Sequence, residues 1–141
     1  HGHYSAAKWA LEGLSEALAF EMAEFGVRVA LIEPGSVPTP AWEKGTPPPP
    51  DTHYMNSLQR LGQWATHTMK NPAATLDVAK AVAHAIESDT PHFRYPVGQD
   101  AIEDIAGRAS VSDDEWIEAN RLQGDSFRQR WKEIVGVDYF G

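Results

Sequence analysis

Between Tyr4 and Phe25 the large apolar residues Leu11, Leu14, Leu18, Met22 and Phe25 fall three or four positions apart among Ala, Glu and Lys. That spacing, in good helix formers, predicts a helix of about five turns with one buried face. Gly26 follows where a helix C-terminus often takes a left-handed residue. Val27, Val29, Leu31 and Ile32 then form an apolar, β-branched run with Arg28 as its one charge, the pattern of a strand buried on both faces of a parallel sheet. Pro34-Gly35 ends it. Seven of the ten prolines lie from Pro34 to Pro50, which predicts a long irregular loop containing a stiff, extended run over 47–50. Tyr54, Leu58, Leu61, Trp64, Ala65 and Met69 return to helical spacing up to Asn71-Pro72. Another helix is expected with Thr75 or Asp77 as its cap and Val78, Val82, Ala85 and Ile86 as its buried stripe. Phe93, Tyr95 and Val97 alternate with Arg94 and Pro96, a strand that Pro96 confines to a sheet edge or end. Ser112-Asp113-Asp114-Glu115 reads as a capping box opening one terminal helix, with Trp116, Ile117, Leu122, Phe127, Trp131 and Ile134 as its apolar contacts.

Helix, buried strand, loop, helices and edge strand, in that order, make the last part of an open α/β sheet with helical crossovers. Two strands are too few for a stable sheet. The chain also opens on His1, with its first Met at position 22. The expectation is an incomplete chain. Residues 1–101 would be the C-terminal portion of a single α/β domain, with 34–72 as a loop and lid helix, and 102–141 a helical extension. That extension would close one end of a site or meet a second subunit.

Composition narrows the chemistry. The 141 residues carry 12 Lys plus Arg against 20 Asp plus Glu, a net charge of -8, and no basic run offers a stripe for nucleic acid or an anionic membrane. No apolar stretch is long enough to span a bilayer. The absence of cysteine excludes disulfides, thiolate metal sites and cysteine nucleophiles. His1 and His3 beside the chain end read as loop residues, and the remaining histidines show no ligand spacing, so no metal is expected.

Tyr4 and Lys8 stand four apart at the start of the first helix, on one face. A phenol is a poor base near neutrality, but an ammonium held beside it stabilises the phenolate. Tyr4 could then exchange a proton with an alcohol or carbonyl oxygen. Ser5, Ala6 and Ala7 are small enough to let a flat ligand approach the helix. Ligands of open α/β sheets bind beyond the carboxyl ends of the strands, where the Pro34-Gly35 turn must lie. Trp42, Tyr54, Met55, Leu58 and Trp64 come after that turn and could line a pocket for an apolar substrate, or else pack the lid helix.

The run Tyr4-Ser5-Ala6-Ala7-Lys8, the segment Glu12-Gly13-Leu14-Ser15, the strand Gly26-Val27-Arg28-Val29 and the turn Pro34-Gly35-Ser36-Val37-Pro38-Thr39 together resemble the short-chain dehydrogenase/reductase family. A looser similarity continues through Asp77-Val78-Ala79 and Arg94-Tyr95-Pro96-Val97-Gly98. The resemblance implies the C-terminal part of a Rossmann-type, doubly wound parallel sheet, with the N-terminal cofactor-binding half absent. It implies hydride transfer between NAD or NADP and a small-molecule alcohol or carbonyl compound, a cytoplasmic location and possible homo-oligomers. Tyr4 would be the general acid/base. Lys8 would also hydrogen-bond the nicotinamide ribose, the backbone at Pro34, Gly35 and Val37 would hold the carboxamide edge, and Thr39 would reach the cofactor from the loop. The family's glycine-rich turn and catalytic serine would both precede His1, so the 141-residue piece by itself is expected to be inactive. The alternative is a non-catalytic relative that serves as a binding or oligomerisation module.

Overall fold

Good helix formers carry the first element, α1, over Gly2–Ala23. It ends as Gly26 predicts. With Gly26 at φ 70°, its amide bonds the Ala23 carbonyl and the Val27 amide the Met22 carbonyl, the paired bonds of a Schellman cap. The structure, a computed structural model, describes residues 2–44, 49 and 51–141, so the expected stiff run over 47–50 lies outside the described residues except for Pro49.

The strand after α1 begins later than its apolar run. β1 covers Leu31–Pro34, with Leu31 buried, Ile32 and Glu33 partly buried, and Val27 exposed. It pairs in parallel with β2, Arg94–Val97, Leu31 opposite Arg94 and Pro34 opposite Val97. Tyr95 and Val97 are buried and Arg94 and Pro96 exposed, the alternation expected. Between the strands lie a 3-10 turn at Pro40–Lys44 inside the proline-rich loop, the helix α2 at Met55–Thr68, and α3 at Thr75–Glu87. A crossover of this kind joins the strands of a Rossmann-type parallel sheet, and the fold is α/β, matching the C-terminal part of such a sheet.

Two amphipathic readings and one helix cap change. Leu11, Leu14 and Leu18 of α1 are exposed, Leu14 at 66%, while Glu12, Ser15, Ala19 and Met22 are its partly buried positions. On the Glu12 side, Arg94 of β2 bonds both Glu12 and Glu33 at 2.5 Å and ties α1 to the sheet. Among the described residues nothing covers the leucines. In α3 the partly buried positions are Val78, Ala81 and Ala85, with Val82 and Ile86 exposed. Its N-cap is Ala74, not Thr75 or Asp77, which are the first and third helical residues.

The C-terminal part is more divided than its apolar periodicity predicts. A helix the pattern does not reveal, α4, spans Gln99–Ala109, and the boundary drawn after residue 101 falls inside it. The capping box at Ser112 and Glu115 is present and opens α5, Asp113–Arg121. The expected single terminal helix then breaks, because Leu122 and Gln123 are extended and Gly124 takes φ 55° before α6, Gly124–Val135. Ala119, Ile134, Val135 and Tyr139 form a buried cluster, with Trp64 of α2, Trp116, Trp131 and Phe140 packed on it. Burying such residues is the main stabilising term for this part. No helix among the described residues is long and apolar enough to cross a membrane.

Candidate active site

Tyr4 and Lys8 lie one helical turn apart on α1, and the fold brings them together accordingly, the Lys8 Nζ lying over the Tyr4 ring at 5.5 Å from its centroid. Tyr4 is 59% exposed, so its hydroxyl is open to an incoming molecule. His3 belongs to the first turn of α1 instead of a loop, and His1 lies outside the described residues.

The second part is the turn leaving β1. The Gly35 amide continues the ladder by donating to the Val97 carbonyl at 2.9 Å. Ser36 is buried and faces inward. The Val37 carbonyl accepts the Trp42 indole N–H at 2.8 Å, and the Val37 amide has no acceptor among the described residues. Thr39 is exposed, its carbonyl accepting the Trp42 amide at 3.2 Å. Of the turn's backbone groups, then, the Gly35 amide is committed to the sheet, whereas Val37 keeps an amide and a second carbonyl lone pair.

Beside Lys8 opens a cleft of about 1060 Å³. Ser5, Lys8, Trp9 and Glu12 form its α1 wall, and Trp64, Trp116, Phe127 and Trp131 face it from α2, α5 and α6. Of the aromatic set expected to line a pocket, Trp64 does so. Trp42, Tyr54 and Leu58 do not border this cleft: Trp42 is bound to the Val37 carbonyl, Tyr54 is the exposed N-cap of α2, and Leu58 is half-buried.

Several polar residues here are not visible in the linear pattern. Arg94 sits between Glu12 and Glu33, and the hydrogen bond to Glu12 foremost raises its pKa, with Glu33 adding to the effect. Asp104 of α4 accepts the Trp64 indole N–H at 3.0 Å through Oδ2, while its Oδ1 is buried without a partner among the described residues. Burial pushes its carboxyl from 3.8 to about 6; the Trp64 hydrogen bond opposes the shift, and Asp100 and Glu103 reinforce it. Burial and the acidic neighbours Asp104 and Glu103 raise the Tyr139 phenol. Arg60 of α2 reaches across to donate to the Asn120 carbonyl at 3.1 Å and to the Leu122 carbonyl, its guanidinium 3.6 Å above the Phe127 ring. The one available signal is opposite charge: Glu12 and Arg94 both lie in the segments that carry the family resemblance. Among the described residues no group of His, Asp and Glu could hold a metal ion.

Known proteins share much of this chain. The family model described as short chain dehydrogenase matches residues 1–48. An uncharacterized oxidoreductase of Schizosaccharomyces pombe is 31% identical over 120 residues, covering 85% of this chain and 51% of that protein. Oxidoreductase BOA17 of Botryotinia fuckeliana is 32% identical over 123 residues, 82% of this chain and 44% of that protein. Human retinol dehydrogenase 5 is 29% identical over 117 residues, 71% of this chain and 36% of that protein. The chain spans about half the length of these relatives, or less. No solved structure matches it. The family model takes in the Tyr4 and Lys8 helix and the β1 turn, the relatives extend the likeness over most of the chain, and the chain belongs to the short-chain dehydrogenase/reductase family.

Proposed function

We propose that the protein carrying this chain is an NAD(P)-dependent oxidoreductase that interconverts an alcohol with a ketone or aldehyde. The observation that carries the reading is the Tyr4 and Lys8 pair, open to solvent on the helix that leads into a parallel strand ending at Pro34-Gly35. Ligands of such sheets meet the carboxyl ends of the strands. The residues present fit the nicotinamide end of the cofactor. The Val37 amide and carbonyl suit a carboxamide, which is both donor and acceptor, and Lys8 and the Thr39 hydroxyl are exposed hydrogen-bonding groups. The bound cofactor supplies or accepts the hydride.

The chain's own residues handle the proton. In reduction the substrate carbonyl carbon gains the hydride, and its oxygen takes the proton from Tyr4 Oη; in oxidation Tyr4 Oη receives that proton back. The Lys8 charge stabilises the negative charge developing on Tyr4 during transfer, and its ammonium would hydrogen-bond the ribose of a bound cofactor.

The substrate we place with its reacting oxygen at Tyr4, which is not itself among the residues lining the cleft, and its body in the cleft beside Lys8. Trp64, Trp116, Phe127 and Trp131 give the cleft an apolar, aromatic side facing a charged rim that includes Glu33, Arg94 and Arg108, and the aromatic side favours a lipophilic alcohol or ketone over a small polar one. Retinol dehydrogenase 5, one of the relatives, is named for a lipophilic alcohol, which supports the same class.

The test is Tyr4→Phe in the intact protein. It removes the exchangeable proton and little contact area, so turnover should fall ~100-fold or more while cofactor affinity stays within ~3-fold. Unchanged turnover, or an equal loss of cofactor affinity, would remove Tyr4 from the role of acid and base.

A further inference from the structure

The turn leaving β1 is held from its inner side by a carboxylate that the proposed reaction leaves unused. Asp100, the second residue of α4, is 8% exposed, and its Oδ2 accepts the Ser36 amide at 2.6 Å. The carboxylate also occupies the space where two glycines would otherwise carry a side chain. A Cβ on Gly35 would lie 2.1 Å from Asp100 Oδ1, and one on Gly98 would lie 2.7 Å from it. The glycines of Pro34-Gly35 and Val97-Gly98 thus form a socket for this one side chain. Its place in the first turn of α4 sets the negative charge against the positive end of the helix dipole.

Ser36 is tied at every polar atom. Its carbonyl accepts the Ala73 amide at 3.0 Å. The Thr68 hydroxyl donates back to the Trp64 carbonyl at 3.1 Å, so the Ser36 hydroxyl donates to Thr68 Oγ1, 2.6 Å away. Three separate pieces therefore fix this one residue: the start of α4, the end of α2, and the segment before α3. All of these bonds are made by Ser36, the residue between Gly35 and Val37.

We infer that Asp100 is a positioning residue for the cofactor-contacting turn: through Ser36 it sets the backbone of Gly35 to Val37, and with it the Val37 amide and carbonyl. The inference rests on the proposed reading that this turn meets the nicotinamide carboxamide. Asp100 itself touches no reacting atom.

The experiment compares the intact protein with Asp100→Ala, Asp100→Asn and Thr68→Val. Two quantities are read: affinity for NADH and NADPH by fluorescence titration, and amide hydrogen exchange over residues 35–38. Asp100→Ala is expected to weaken the preferred cofactor ~10-fold or more, because small misplacements of positioning groups are costly, and to speed exchange in the turn. Asp100→Asn keeps an acceptor of the same shape and should recover most of the affinity. At saturating cofactor kcat should stay within ~3-fold, the split expected when only cofactor binding has changed. A lower melting temperature with cofactor affinity and exchange unchanged would reduce Asp100 to a structural residue and overturn the inference. Where Asp100→Ala does not fold, Thr68→Val decides: faster exchange and ~3-fold weaker binding support it, and wild-type behaviour overturns it. If the wild-type protein binds neither dinucleotide, the proposed function falls, and the exchange rates still report whether Asp100 orders the turn.

Discussion

Replacing Asp104 by Asn removes a titration that the native fold makes unfavourable. The carboxyl is shifted from 3.8 to about 6, chiefly by burial, so the native state holds its proton over a range in which the unfolded chain has lost it. Stability from this group is therefore fully present below pH ~4, declines as pH rises toward ~6, and is lost above that value. At about 1.4 kcal/mol per pH unit the shift corresponds to ~3 kcal/mol. Asp104 is only partly buried and solvent screens part of the charge, which lowers the expected loss to ~1–2 kcal/mol. Asn retains an acceptor for the Trp64 indole but puts an amide nitrogen where Oδ1 has no partner, a fixed cost of ~1 kcal/mol at every pH. Urea denaturation of both proteins at pH 4, 5, 6 and 7.5 separates the two effects. The wild type should lose ~1–2 kcal/mol relative to the variant across that series, so the two curves converge or cross. Parallel curves would show that Asp104 is not held protonated, and the account of its burial would be wrong.

Further expectations come from individual contacts. Gly35→Ala should unfold or severely destabilise the protein by ~3 kcal/mol or more, since its Cβ meets the Asp100 carboxylate, whereas Gly13→Ala in open space on α1 should add ~0.5–1 kcal/mol; thermal melts of the pair test both. Arg60→Met removes two bonds to carbonyls at the end of α5 and the contact over Phe127, so a loss of ~1–2 kcal/mol is expected by urea titration, and a neutral result would reduce Arg60 to a surface contact. Ser112→Ala should cost ~1 kcal/mol through the capping box, with circular dichroism showing the loss.

The features legible in the sequence are those that local rules determine. The helix from Tyr4, its Gly26 stop, the alternation at Tyr95 and Val97 and the Ser112 capping box each depend on a few neighbouring residues, and each stands where expected. The exposed face of α1 shows the limit. Periodicity identifies Leu11, Leu14 and Leu18 as a stripe, but the side of α1 tied to the sheet is the one bearing Glu12, whose partner Arg94 lies 82 residues further on. Helix α4 escapes the pattern because two isoleucines are the only large apolar residues from Gln99 to Ala109, among alanines, acids and a glycine. For the same reason Asp100 reads as nothing more than an acid near a helix start. Its partner Ser36 is 64 residues earlier, and only the closed fold puts a glycine socket around it. In the site, the Tyr4 and Lys8 spacing and the Pro34-Gly35 turn are legible. The aromatic wall is not, since Trp116, Phe127 and Trp131 reach the cleft only once α5 and α6 fold back on one another.

The grip of Arg60 on α5 and α6 bears on how this protein could be re-engineered. Because one guanidinium joins Met55–Thr68 to the carbonyls that end Asp113–Arg121, and Trp64 joins the same segment to Asp104, neither side is a free module. A chimaera that exchanged the tail past Ala101 for one without an acid at position 104 would leave the Trp64 indole N–H without its acceptor, and Arg60 would stay bonded only where the new backbone brings its carbonyls to the same place. Exchanging either segment therefore requires moving α2 and the tail as a matched set.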